Sequence, residues 1–359
     1  MRLDTYKGEI QMDIRRTIQK IMVLAVLVCS AGSLDAATLL VANKAEATVS
    51  LVDIASAKVV ATLPVGTGPH EIAVSPSGKL ALVANYGAQQ PGSSLTLLDV
   101  PAAKVVKTID LGENRRPHGL LFLDEKRALI TVEANKAVIE VDVEAGKVTR
   151  SIPTGAEVSH MVVATPDGSR AFVANIGSGS MTALDLKTGK SLGNVQTGKG
   201  TEGIDVTPDG KQVWVTNRAA DTVTVVDAAT LKVLGSVESA KFPIRAKATP
   251  DGKHVLVSNA QSGDLSVLSV ADRKVARRVP LPVEASADKD GRLMASGPFG
   301  NSSVPIGVLI EPDGKRAFVA HANGDAISIV DLQRWQKVGT LTAGKEPDGM
   351  GYSKLTVKK

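Results

Sequence analysis

Residues 207–227 read TPDGKQVWVTNRAADTVTVVD. In TPDG, Pro208 presets the first turn angle and Gly210 supplies the left-handed position. QVWVTN and TVTVVD are short runs rich in Val and Thr, the composition of strands. TEGIDV precedes the turn, and KVLGSVES follows a further turn. The stretch and its flanks therefore read as four antiparallel strands joined by tight turns.

The same unit recurs along the chain. The turn returns as SPSGK at 75, TPDGS at 165, TPDGK at 249 and EPDGK at 311. An apolar run follows each: LALVAN, RAFVAN, HVLVSN and RAFVAH. Next comes a run ending in Asp, such as LTLLDV, MTALDL and ISIVDL, and then an outer run such as KVVKTIDL, KSLGNVQT or QKVGTLTA. Four strands per unit of roughly 42 residues is the signature of a β-propeller blade. One blade cannot bury both faces, so a ring must close. The units number seven. ATLLVAN (37–43) is a second strand without a first, and PDGMGYSK (347–354) is a first strand without a second. The two ends are expected to share one blade, which shuts the ring and removes its open edges. The fold class is all-β: a seven-bladed propeller of four-stranded antiparallel blades over 37–355.

Composition agrees. Of 359 residues, 43% are apolar and only 3% aromatic, so Val, Ala, Leu and Ile must build the core. The net charge of +5, from 42 basic and 37 acidic residues, is interspersed and favours an anionic partner only weakly. Few rings are available for base stacking (Tyr86, Trp214, Trp335 and a few Phe), which argues against nucleic acid.

Residues 1–36 read as a signal peptide. MDIRRTIQK is basic, IMVLAVLV is apolar and CSAGSLDA follows, with Met12 a candidate true start and Leu34-Asp35-Ala36 a usable cleavage site. The apolar segment is too short for a stable membrane span, although an uncleaved anchor is the alternative. A periplasmic or secreted protein is expected, with no membrane span after cleavage, and a monomer. Arg15-Arg16 raises the twin-arginine route. Cys29 is the only cysteine; Val28 before it is too bulky for a lipid-attachment signal. The mature chain then has no disulfide and no thiolate site.

VAN, VTN and VSN after a PDG turn, followed by a strand ending in Val-Asp or Leu-Asp, resemble the YVTN-repeat β-propellers over nearly the whole mature chain. GPH…SPSGK…VANYG (68–87) is also similar to seven-bladed lactonases. The resemblance implies the fold. Its members include lactone hydrolases, haem-binding domains of nitrite reductases and nucleic-acid binders, so it leaves function open.

Laying the first strands over one another puts His70, His118, His160, Glu202, Ile244, Ile306 and Asp348 in one column. In a propeller these positions line one mouth of the central channel. The next column is Glu71, Gly119, Met161, Gly203, Arg245, Gly307 and Gly349. Its glycines fit crowding near the axis. Two places further in, Asp205 and Lys247 are expected to pair across neighbouring blades.

Imidazoles are ligands for zinc and copper. His70, His118, His160 and Glu202 are therefore candidate metal ligands. Glu71, Arg245, His321 and Asp348 are candidate contacts for a small polar ligand or a partner protein on the mouth face. Lactonase-type hydrolysis is the enzymatic alternative, with Glu202 and His118 as acid–base groups and Arg245 steadying an anion; a haem with a column His as axial ligand is another. Alone, a Pro-His at a strand start is more often a satisfied structural residue. The Asn residues that end the second strands (43, 85, 175, 217, 259) read as turn formers. The 283–302 insertion joins blade 6 to blade 7 on the mouth face, as a lid or a plain surface loop. No nucleophile elbow, phosphate-cradling Gly loop, HExxH or CxxCH is present.

Overall fold

The computed structural model describes residues 37–288, 292 and 297–358. Residues 1–36, expected to be a signal peptide, and parts of the 283–302 insertion lie outside the described residues. The described chain forms seven four-stranded antiparallel sheets arranged as propeller blades. In blade 1, Pro347–Ser353 is the innermost strand, followed outward by Thr38–Asn43, Thr48–Asp53 and Lys58–Pro64. Leu40 pairs with Gly351 and Val41 with Met350, so the two chain ends close the ring. The residues beyond add to the closure: Leu355 carbonyl accepts from Thr38 Oγ1 at 2.8 Å, and Lys358 N–H donates to Pro101 carbonyl at 2.8 Å.

The cores lie between adjacent blades. Leu40, Leu51 and Val49 of blade 1 pack on Ala81, Val83 and Leu98 of blade 2, all fully buried. Leu82, Leu95 and Ile109, on blade 2's other face, meet Ile130 and Ile139 of blade 3. Both faces of each middle strand are thus covered, which is why LALVAN and its relatives are continuously apolar. Each such side chain contributes about 1.5–3 kcal/mol of burial. Among the described residues no helix is long and apolar enough to cross a membrane.

The outermost strands carry a β-bulge at an equivalent position. Val59 faces Val52 and Ala61 faces Leu51, leaving Val60 unpaired. Val106, Leu192, Leu234 and Val338 occupy the same place. A bulge raises local twist and spoils a flat edge for pairing. These exposed apolar side chains therefore sit on strands poorly suited to edge-to-edge association.

The Asn residues do more than form turns. Asn85 Nδ2 donates to Ser94 and Thr96 Oγ atoms at 3.0 Å each, while its Oδ1 accepts from Gly66 N–H at 3.0 Å. Asn43, Asn217 and Asn259 reach hydroxyls in the same way. Each braces its own blade, and Asn43 and Asn85 also tie in the incoming loop.

Candidate functional site at the channel mouth

The innermost strands are bulged too, and the bulge lies on the His70 column. Pro69 pairs with Asn85 and Ile72 with Val83, so His70 and Glu71 together face Ala84. Equivalent breaks occur at His118–Gly119, Glu202–Gly203, Ile244–Arg245 and Asp348–Gly349. A regular strand would send consecutive side chains to opposite faces. The bulge lets both columns supply one axial cluster. Where a blade has glycine in the second column, the next blade packs directly on it. A Cβ on Gly203 would stand 2.2 Å from Ile244 carbonyl, and one on Gly349 would stand 2.3 Å from His70 carbonyl.

A buried ion network crosses the channel. Arg245 Nη2 and Nε contact Glu71 Oε1 at 2.6 and 3.1 Å. Arg245 Nη1 lies 3.4 Å from Glu202 Oε1, and its Nη2 lies 3.9 Å from Asp348 Oδ1. Lys44 Nζ stands 3.2 Å from Asp348 Oδ2. Lower in the channel, Lys247 Nζ is 3.6 Å from Asp205 Oδ2, the pairing expected from the repeat register.

The three column histidines stand in sequence beside this network. Ring centroids are 5.0 Å apart for His70 and His118, and 3.7 Å for His118 and His160. His70 Nδ1 donates to Gly68 carbonyl at 2.8 Å. His160 Nδ1 bonds Glu133 Oε1 at 2.5 Å, and Tyr86 hydroxyl donates to Glu133 Oε2 at 2.6 Å. On the ring's other side, His160 Nε2 approaches Glu202 Oε1 to 3.5 Å without hydrogen-bond geometry. Arg218 holds Glu202 Oε2 at 2.6 Å. His118 Nδ1, His160 Nε2 and Asp348 Oδ1 are buried without a hydrogen-bond partner. One potential ligand atom each from His118, Glu133 and His160 lie within 4.8 Å of one another.

Burial, then the charge on Lys44, pulls His70 down to about 4. Burial and the charge on His160 take His118 well below the usual imidazole value. Both are neutral at pH 7. Burial opposes charge on His160 as well, but Glu133 and Glu202 outweigh it and raise its pKa. Burial also works against Glu202, whose contacts with His160, Arg218 and Arg245 hold it at about 2. Asp348 is likewise lowered, with Lys44 and Arg245 overcoming its burial.

Glu133, Tyr86, Lys44 and Arg218 escape the sequence reading, yet they share a column of their own. Lys44, Glu133 and Arg218 follow directly on the last residue of their blades' second strands, and Tyr86 holds the equivalent place after Asn85 in a strand that runs on to Gly87. There each one's backbone N–H donates to the residue two places before a column position: Lys44 to Glu346, Tyr86 to Gly68, Glu133 to Arg116 and Arg218 to Gly200. These acceptors all have left-handed backbones, including non-glycine Arg116 (φ 57°) and Glu346 (φ 55°). Positions of that kind cost roughly 1–3 kcal/mol and persist where surrounding structure enforces them. The available signal was periodic: a polar residue one place after VAN or VTN, or in blade 3 after the equivalent ITV.

Other candidates fall differently. Arg245 is already matched by carboxylates rather than open to an anion. His321 takes over the bracing role of Asn: Nδ1 meets Ser303 Oγ and Nε2 meets Ser328 Oγ, each at 2.8 Å. Both of its nitrogens are engaged within the blade wall. In the insertion, Arg292 pairs with Asp325 and donates to Ala322 carbonyl at 3.0 Å.

A family model described as a YNCE-like beta-propeller matches residues 28–128 and 122–247, well over half of the chain. No curated protein matches the chain at a significant level.

Proposed function

The chain belongs to the YNCE-like β-propeller family, and from that premise we propose that it is a binding module whose channel mouth holds a transition-metal ion of the zinc or copper class. The observation that carries the reading is the gathering of His118, Glu133 and His160, with one potential ligand atom each within 4.8 Å, where buried His118 Nδ1 and His160 Nε2 make no hydrogen bond and His160 Nε2 faces the Glu202 carboxylate. A buried polar atom without a partner costs about 1–3 kcal/mol, and an ion bound by His118 Nδ1 removes that cost. The donor set is nitrogen and oxygen, as such ions accept. Two ligands on a tetrahedral zinc with bonds of 2.0–2.1 Å stand about 3.3–3.4 Å apart. The 3.5 Å between His160 Nε2 and Glu202 Oε1 fits that edge.

Calorimetric titration of zinc and copper into metal-free protein tests the reading. His118→Ala, which removes one ligand and leaves the ion-pair network in place, is expected to weaken binding at least 100-fold while the protein stays folded. Equal affinity in wild type and variant, or no binding in either, refutes it. Affinity is also expected to fall with acidification, because a proton competes with the ion for each imidazole.

The reading includes export. The basic, apolar and small-residue order of 12–36 supports a mature chain beginning near Ala37 in the periplasm or medium. Intact mass of the extracytoplasmic form tests this; retention of IMVLAVLV refutes cleavage.

A further inference from the structure

We infer that an ion at this mouth sits on Nε2 of His160, between that ring and Glu202, and that Glu133 and Tyr86 are positioning residues rather than ligands. The inference rests on the metal reading above and assigns the atoms that reading leaves open.

The candidate groups share a pattern: one atom is gripped by the protein and the other is presented to the cluster. His160 is gripped at Nδ1 by Glu133 Oε1 at 2.5 Å, which leaves Nε2 partnerless. Glu202 is gripped at Oε2 by Arg218 at 2.6 Å; its Oε1, which accepts only a long 3.4 Å bond from Arg245 Nη1, faces His160 Nε2 at 3.5 Å. His70 is gripped at Nδ1 by Gly68 carbonyl, so its lone pair is on Nε2. Metal-bound imidazoles commonly donate their second N–H to a carboxylate, which sets tautomer and ring orientation.

Glu133 differs in that both of its oxygens are held by short bonds. Both oxygens are occupied, Oε1 by His160 and Oε2 by Tyr86 hydroxyl at 2.6 Å. Coordination through Glu133 would have to break one of these short bonds, whereas coordination through Glu202 Oε1 displaces only the 3.4 Å contact from Arg245. Tyr86 is itself confined: its ring stands 4.3 Å from His70's, and Arg116 lies over it at 4.6 Å. A held tyrosine thus holds a carboxylate, which holds the ring. His118, 3.7 Å from His160 between centroids, adds its partnerless Nδ1 on the neighbouring blade.

Long-range proton–nitrogen NMR of the full chain with 15N-labelled histidine, before and after one equivalent of zinc, decides the assignment. The expected result is a zinc-induced shift at His160 Nε2 with the Nδ1 proton retained far downfield. Cadmium-113 in place of zinc should couple to that same Nε2. Glu133→Ala should lose about 10- to 100-fold in zinc affinity, with Glu133→Gln restoring part of it through its carbonyl oxygen. Should either variant fail to fold, the wild-type spectrum still decides. Zinc bound with loss of the Nδ1 proton, or unchanged zinc affinity in Glu202→Gln, overturns the assignment while the metal reading stands. No zinc bound to wild type overturns both.

Discussion

Removing the guanidinium of Arg245 is expected to be among the most damaging single changes at the mouth. Arg245 is 7% exposed and faces three carboxylates: Glu71 at 2.6 Å, Glu202 at 3.4 Å and Asp348 at 3.9 Å. Lys44 partly compensates Asp348, and Arg218 partly compensates Glu202. Glu71 has Arg245 as its only ion-pair partner among the described residues. Arg245→Ala therefore strands one largely buried carboxylate, Glu71, outright and weakens two more. Breaking a buried pair from one side costs about 3–5 kcal/mol, whereas replacing both partners by apolar groups of similar shape is often neutral. With an unfolding entropy of about 2.1 cal/mol/K per residue, a propeller of this size loses roughly 4–7 °C in Tm for that loss. Calorimetry on wild type, Arg245→Ala, Glu71→Leu and the Arg245→Met/Glu71→Leu pair reads the coupling. The double variant is expected to recover most of the stability lost in Arg245→Ala. An unchanged Tm in Arg245→Ala, or a double variant as unstable as the two singles summed, would refute the view that this ion pair is stability-critical.

Deleting residues 345–359 removes the innermost strand of blade 1 and its pairing with 38–43; thermal melting should show loss of most of a net stability of about 5–15 kcal/mol. Gly203→Ala places a methyl 2.2 Å from Ile244 carbonyl and should cost about 3 kcal/mol, read by chemical denaturation; a neutral result would mean that the inner ring relaxes freely. Acid should destabilise the protein before its carboxylates titrate. His70 and His321, at about 4 and about 3 in the fold, sit near 6.5 when unfolded. The unfolded chain thus binds more protons between those values, and stability falls as pH drops from about 6.5 toward 4. His70 alone accounts for about 3 kcal/mol of that loss. His160, raised in the fold, acts in the opposite sense above 6.5. Denaturation midpoints across pH 4–8 check the sign, and a flat profile would count against neutral burial of His70 and His321.

The ring was legible from local chemistry. PDG turns, runs such as VWVTN and the Asp that ends six of the seven third strands are one supersecondary unit repeated, and its two incomplete copies at 37–43 and 347–354 foretell the shared blade. The His70–His118–His160–Glu202 column was legible for the same reason: a fixed repeat puts equivalent positions at equivalent heights on the axis. Which side chains meet there was not. A regular strand would have sent His70 and Glu71 to opposite faces; the bulge opposite Ala84 brings both columns into one cluster, and the residue runs around it do not announce a bulge. Glu133 and His160 are 27 residues apart, and Arg245 and Glu71 are 174. Their contacts exist only because neighbouring blades are packed and the circle is shut. Local propensity sets strands and turns within a few residues, whereas ring closure sets distances between blades. The pairing of a carboxylate with one imidazole nitrogen and not the other depends on those distances alone.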